Sequence, residues 1–156
     1  MKKIALLAAG AAAVGGGVAV ATTATAASST DAVRAVQTAS KGVSHKAYEL
    51  DRERNHWEVT FADGTQRHVT LDGRRVTATK RDDDRSSAAA SARVSLATAL
   101  RTAAPRANGT LTDADLDRER GTLVWSVNIE AAGDRETEVE VDARSGKVLR
   151  VIQDDD

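Results

Sequence analysis

The side chains that could do chemistry in this sequence are few and scattered. There are three histidines, His45, His56 and His68, and no cysteine that could join them as a metal ligand. None has the H-E-x-x-H spacing of a zinc-binding helix, so all three are expected at the surface. His56 and His68 fall on neighbouring predicted strands, and a metal-binding pair is the alternative for these two.

Nucleophilic catalysis needs a nucleophile, a base and a group that orients the base, and no such set is visible. The serines lie mostly in linkers and helix caps, and there is no G-x-S-x-G elbow. The sequence therefore predicts no enzyme, no cofactor, and no catalytic, cofactor-binding or metal-binding residue.

Acidic residues form two runs, at positions 82–84 and 154–156. We expect a solvated linker and a solvated tail. A weak calcium contact is the alternative, because hard cations take carboxylate oxygens, although neither run has the glycine-punctuated spacing of a calcium loop.

The first 26 residues are predicted to be a secretory signal peptide. Lys2 and Lys3 form a positive start, an uncharged apolar run follows at 4–20, and Ala-Thr-Ala at 24–26 fits a signal peptidase site. Cleavage after Ala26 would place the mature chain outside the cytoplasm, secreted or at the cell envelope, without a stable membrane span. The alternative is a membrane anchor, since the apolar run is near the lower limit of about 17 residues for a spanning helix.

Charge argues against nucleic acid as a partner. Without Lys2 and Lys3 the mature chain has 20 basic and 23 acidic residues, a net charge of about −3, whereas nucleic-acid binding normally uses a basic face. The abundance of Arg and Ala is typical of high-GC actinobacteria.

An internal repeat organises the mature chain. The matching segments are LDRER at 50–54 and 116–120, W-x-V-x-[FI] at 57–61 and 125–129, and V-x-[LV]-D at 69–72 and 139–142. Their offsets are 66, 68 and 70, and each increase falls in a loop, where an insertion leaves strand register intact. The sequence predicts two copies of one module, at 28–84 and 85–156.

Each module is predicted to be a helix followed by antiparallel strands, which makes the fold class α+β with two tandem repeats. The first helix is expected to begin at Thr30-Asp31 and end at Gly42, and the second to run from Ser87 or Ser91 to Ala103. The predicted strands cover about 45–51, 56–62, 66–72, 75–79, 111–117 and 123–130.

Period-two alternation assigns the strand faces. Trp57 and Trp125 alternate with apolar residues and are expected in the core. The opposite face is expected to be wet, and its members are Glu58, Thr60, Ser126, Asn128 and Glu130. The charged turns at 52–54 and 118–120 are expected to be salt-bridged hairpin tips.

The segment Val-Asp-Ala-Arg-Ser-Gly-Lys-Val-Leu at 141–149 resembles the closing hairpin of the PepSY domain family. The resemblance extends over both modules, although the closing turn at 71–76 is two residues shorter. It implies a secreted, non-enzymatic binding module with a protein partner, which inhibits or regulates peptidases near the cell envelope. The alternative function is an extracytoplasmic protein that binds cations or ligands through its acidic runs.

Overall fold

The computed structural model describes residues 28–133 and 135–153, so the predicted signal peptide and the tail at 154–156 lie outside the described residues. The first half contains α1 (Ser29–Ala39), β1 (Ala47–Arg52), β2 (His56–Phe61), β3 (Thr65–Thr70) and β4 (Val76–Arg81). The second half contains α2 (Leu96–Ala103), β5 (Thr110–Glu119), β6 (Thr122–Glu130), β7 (Glu136–Asp142) and β8 (Val148–Gln153). In the described part of the chain, no helix has the length and apolar character needed to cross a membrane.

The eight strands form one antiparallel sheet in the order β4-β3-β2-β1-β5-β6-β7-β8. The two halves meet edge to edge, because β1 pairs with β5 and places Leu50 opposite Ala114. The predicted α+β class and antiparallel strands are therefore confirmed. The sequence did not predict the joining of the two small sheets into one.

Ser28 caps the start of α1, two residues before the predicted cap. The hydroxyl of Ser28 accepts a hydrogen bond from the Asp31 backbone N–H, and the Asp31 carboxylate accepts one from the Ser28 backbone N–H. This reciprocal arrangement is a capping box, in which two otherwise unpaired groups satisfy each other.

The second predicted helix is broken into two pieces. A 3₁₀ turn spans Ala88–Ser91, and α2 begins only at Leu96, where Ser95 caps it through the Thr98 backbone N–H. The prediction of one helix from Ser87 or Ser91 was wrong, because the backbone becomes extended at Ala92 and the N–H groups of residues 93 and 94 both donate to the Ala143 carbonyl.

Both helices cover the same face of the sheet. Trp57 and Trp125 are almost fully buried beneath them, as predicted, and their indole N–H groups donate to the carbonyls of Leu71 and Val94. The helices also contact each other, and each contacts the first strand of the other half, α1 with β5 and α2 with β1. The core is therefore continuous across the junction.

Strand pairing corrects the alignment of the two halves. Trp57 lies opposite Val69 and Trp125 opposite Val141, so Val69 corresponds to Val141, 72 positions later, and not to Val139. In the pairing with the last strand of each half, the register shifts immediately before Val69 and immediately before Val141.

The first strand of each half shows the same kind of correction. Leu50 lies opposite Val59 and Ala114 opposite Val127, so Leu50 corresponds to Ala114, 64 positions later, and not to Leu116. Each error amounts to two residues. Because side chains alternate with a period of two, such a slip preserves the assignment of faces.

Aspartates organise the closing turns of both halves. The carboxylate of Asp72 accepts hydrogen bonds from Thr70 and from the backbone N–H of Arg74, and that of Asp142 accepts from the N–H groups of Arg144 and Ser145. These bonds to the charged form hold the pKa of both carboxyls below the usual range.

The charged turns at 52–54 and 118–120 do not form the predicted ion pairs. Among the described residues, no salt bridge within 4.0 Å involves either turn. Arg118 instead donates to the Gly121 carbonyl, and Arg120 adopts a positive φ of 49°.

Candidate functional site

The sheet face opposite the helices, here called the open face, carries an array of carboxylates at the junction of the two halves. Alternation along β1 and β5 places the members of this carboxylate array on one face: Glu49, Asp51, Asp113, Asp115 and Asp117. Asp51 lies directly opposite Asp113, and Glu49 lies opposite Asp115. Like charges in register destabilise an antiparallel pair, so this arrangement works against the fold.

The electrostatics of the array reflect partial burial and mutual repulsion. Burial first, and then the charges of Glu49 and Asp113, raise the pKa of Asp51 to about 7. Burial first, and then its interactions with Asp117, raise the pKa of Asp115 to about 8. Burial also raises the pKa of Glu49, while the nearby Thr60 hydroxyl lowers it. A cationic partner would favour the charged forms of these groups.

The open face is less wet than predicted. Thr60 and Ser126 were expected to be solvated, yet both are less than a tenth exposed. Thr60 lies between Glu49 and Gln66 on the flanking strands, and Ser126 between Asp115 and Glu140. Short hydroxyl side chains between longer neighbours lose contact with water even without a helix above them. Of the other members of this predicted face, only Glu130 is exposed, and Glu58 and Asn128 are half-buried.

In the second half, an ion pair closes part of the open face. Glu140 is nearly fully buried, and both of its carboxylate oxygens accept hydrogen bonds from the guanidinium of Arg150, on the neighbouring strand β8. Beside it, Val124 is 1% exposed although it points away from the helices. The Glu140 carboxylate is therefore ion-paired within the fold, and the Val124 side chain is buried there.

In the first half, two histidines and a glutamate converge instead. The rings of His56 and His68 stack with centroids 4.1 Å apart, and His68 Nε2 lies 2.8 Å from Glu58 Oε2. One ligand atom from each residue lies within 4.8 Å of the others. His56 and His68 are partly buried and lie together, as their places on neighbouring predicted strands allowed, because β2 and β3 pair in a register that brings the rings together.

The remaining candidates from the sequence stay apart. His45 is half exposed, with Nε2 3.8 Å from Asp63 Oδ2. Residues 82–84 are exposed. Within the described ranges, His56, Glu58 and His68 form the only group of three or more such side chains with ligand atoms close enough to hold a metal ion, and it includes neither residues 82–84 nor the carboxylate array.

A cavity lies on the helix-covered side of the sheet. It has a volume of about 470 Å³ and opens between α1 and the segment that leads into α2, and Trp125 contributes to its wall. Its basic lining residues are Lys46, Arg93 and Arg101, with His45 beside them. Lys46 is tied down, since its ammonium donates to the Ala92 carbonyl at 2.7 Å. The lining of this cavity is therefore basic, in contrast to the carboxylate array on the open face.

The carboxylate array was not predicted from the sequence, although the signal was present. Glu49 and Asp51 are two residues apart, as are Asp113, Asp115 and Asp117, and this spacing on a predicted strand puts each set on one face. What the spacing does not reveal is that β1 and β5 are neighbours, which brings the two sets together.

Comparison with known proteins adds the family context. Residues 93–152 match the family model of the peptidase propeptide and YPEB domain, PepSY, which confirms the resemblance over that segment. Over 50 residues the chain is 34% identical to the uncharacterized membrane protein YkoI of Bacillus subtilis (strain 168). That alignment covers 32% of this chain and 22% of YkoI, so the chain spans about a fifth of the length of that relative.

Two solved structures are also similar. One is a candidate lipoprotein from Clostridium difficile 630, with a TM-score of 0.44 and 19% identity, covering 83% of this chain and 94% of that one. The other is the YpmB protein from Bacillus subtilis, with a TM-score of 0.37 and 18% identity, covering 77% of this chain and 95% of that one.

Proposed function

With the PepSY match of residues 93–152 as the premise, we propose that this chain is an exported, non-enzymatic module that binds a peptidase near the cell envelope. The carboxylate array on the open face is the proposed docking surface, and a basic patch on the peptidase is its counterpart. The module restrains the peptidase while it is bound.

The observation that carries this proposal is the uncompensated charge of the array. Asp51 faces Asp113 and Glu49 faces Asp115 across the β1–β5 pair. Within the described residues, no Lys or Arg forms a salt bridge with any of the four. Repulsion of this kind lowers the stability of the free protein, and a basic partner would relieve it. Complementary charge also speeds association and selects among partners.

The proposal gives a role to both halves. Glu49 and Asp51 come from the first half and Asp113 and Asp115 from the second, so the array exists only where β1 meets β5. We infer that the chain is a tandem pair of PepSY-like modules, in which the edge-to-edge pairing of the copies creates the binding surface.

The test compares two variants that each replace two aspartates by asparagine. Asp51→Asn with Asp115→Asn neutralises the array, and Asp82→Asn with Asp83→Asn neutralises exposed groups beyond β4. The mature protein is added to secreted and envelope peptidases from its own culture, and casein hydrolysis is followed at low and high salt. We expect the wild type and the Asp82/Asp83 variant to slow hydrolysis, the array variant to lose most of this effect, and salt to weaken it.

Misfolding cannot explain such a loss, because removing like charges should stabilise the array variant. Equal inhibition by both variants would exclude the array as the docking surface. No inhibition by the wild type at any concentration would exclude peptidase restraint.

Binding of cations through the acidic runs stays an untested alternative. Calorimetry of the mature protein with calcium separates it from the proposal. Heat at millimolar calcium that disappears in the Asp82/Asp83 variant would support it, and the absence of heat would remove it.

A further inference from the structure

The three side chains His56, Glu58 and His68 have the composition of a metal site as well as the proximity. His56 and Glu58 are two residues apart on β2 and share its open face, and His68 on β3 lies directly opposite Glu58. The side chains of His68 and Glu58 are 13% and 24% exposed, so the group is shielded yet reachable. Imidazole nitrogens with one carboxylate are ligands that zinc and related divalent ions accept.

The ring nitrogens that point at this group are unused. Nε2 of His56 and Nε2 of His68 are both buried and have no hydrogen-bond partner within the described part of the chain. The 2.8 Å approach of His68 Nε2 to Glu58 Oε2 lacks the alignment of a hydrogen bond. Buried polar atoms are normally paired, and each exception calls for a cause, such as an ion that belongs between them.

The opposite nitrogen of His56 is held in the manner of a metal ligand. Nδ1 lies 2.8 Å from the side-chain oxygen of Asn55. Because that oxygen only accepts, Nδ1 carries the proton and the lone pair of the neutral ring is on Nε2, facing the group. Metal-binding histidines typically donate their second N–H to such a partner, which sets the tautomer and the ring orientation.

We propose that His56 Nε2, His68 Nε2 and the Glu58 carboxylate bind one divalent transition-metal ion of the zinc class. Three protein ligands leave one coordination position open for water or for a group from a partner, as in catalytic zinc sites. None of these ligands belongs to the carboxylate array of the proposed peptidase surface, although Glu58 lies directly opposite Asp51 of that array.

The second half has no counterpart, because Val124, Ser126 and Glu140 stand at the corresponding positions and Glu140 is paired with Arg150.

The test uses the mature protein without an affinity tag, stripped with EDTA and titrated with zinc chloride. We expect one ion per chain by calorimetry, a rise in melting temperature with zinc, and Co²⁺ absorption bands typical of nitrogen and oxygen ligands. His56→Ala and His68→Ala should each weaken zinc binding more than tenfold. Asn55→Ala, which removes only the positioning hydrogen bond, should weaken it by about tenfold.

His45→Ala is the matched control, because His45 is exposed and lies outside the group. It should bind zinc like the wild type. Metal-free melting curves of all variants establish that they fold. Absence of one-to-one zinc binding by the wild type, or an equal loss in the His45 variant, would overturn the proposal.

Discussion

The two halves of this protein put different chemistry on corresponding strand positions. The first half has His56, Glu58 and His68 where the second has Val124, Ser126 and Glu140. On the neighbouring strand, Ala78 lies opposite His68 in the first half, and Arg150 lies opposite Glu140 in the second. The backbone is the same in kind, a helix over four antiparallel strands, and the side chains on the open face differ.

The difference shows how stability and binding are divided between the halves. Glu140 and Arg150 satisfy each other, and Val124 is buried, so the second half keeps few unmet groups on its open face. The imidazoles of the first half have unpaired nitrogens, and an unpaired buried polar group costs about 1–3 kcal/mol. Local violations of this kind are expected at functional sites, which supports the binding sites proposed for the first half and for the junction.

The largest expected effect tests whether the two halves unfold together. Trp57→Ala and Trp125→Ala each remove a side chain that is at most 1% exposed, and each should cost about 3–5 kcal/mol of unfolding free energy. Because the sheet and the helix contacts are continuous, either change should lower one cooperative transition in urea. Two separate transitions, with only the mutated half affected, would show that the halves fold independently.

A smaller effect separates the two closing turns. Gly73 and Gly146 both have a positive φ, 70° and 74°, so alanine strains both equally. An added Cβ at Gly73 would lie 2.5 Å from the Asp31 carbonyl oxygen in α1, whereas at Gly146 its nearest neighbour is a methyl of Val94 at 3.5 Å.

We therefore expect Gly146→Ala to cost about 1 kcal/mol and Gly73→Ala to cost about 1–3 kcal/mol more. Urea unfolding of the two variants side by side measures the difference. Equal losses would mean that the first turn can move away from α1 without penalty.

The smallest expected effect concerns the pH dependence that the junction imposes. The folded-state pKa of Asp51 is raised to about 7 and that of Asp115 to about 8. The folded protein therefore binds more protons than the unfolded chain between about pH 4 and pH 8, and the contribution of these groups to stability falls as the pH rises through that window.

Asp51→Asn with Asp115→Asn should flatten this slope. Because solvent screens these partly exposed carboxyls, the variant should be about 1–2 kcal/mol more stable than the wild type at pH 9. At pH 4 the two proteins should differ little, because the carboxyls are then largely protonated. Melting temperatures from pH 4 to pH 9 measure the slope. The exposed pair Asp82→Asn with Asp83→Asn should leave it unchanged, and an unchanged slope in the array variant would contradict the assigned pKa shifts.

Much of the fold could be predicted because its signals are local. Period-two alternation located the strands and assigned Trp57 and Trp125 to the core, and both are buried. The break before α2 was not predicted, since the segment at 87–103 is uniformly rich in small residues and the tertiary hydrogen bonds to the Ala143 carbonyl decide it. The exact alignment of the two halves was also not predicted, because a slip of two residues leaves the pattern of faces unchanged.

The sequence by itself determined which side chains share a strand face, since alternation depends only on spacing along the chain. It thereby placed Glu49 with Asp51, and Asp113 with Asp115. Only the tertiary structure decided that β1 and β5 are neighbours and that His68 lies across from Glu58. Strand order and register depend on contacts between residues far apart in the chain, and no local spacing encodes them.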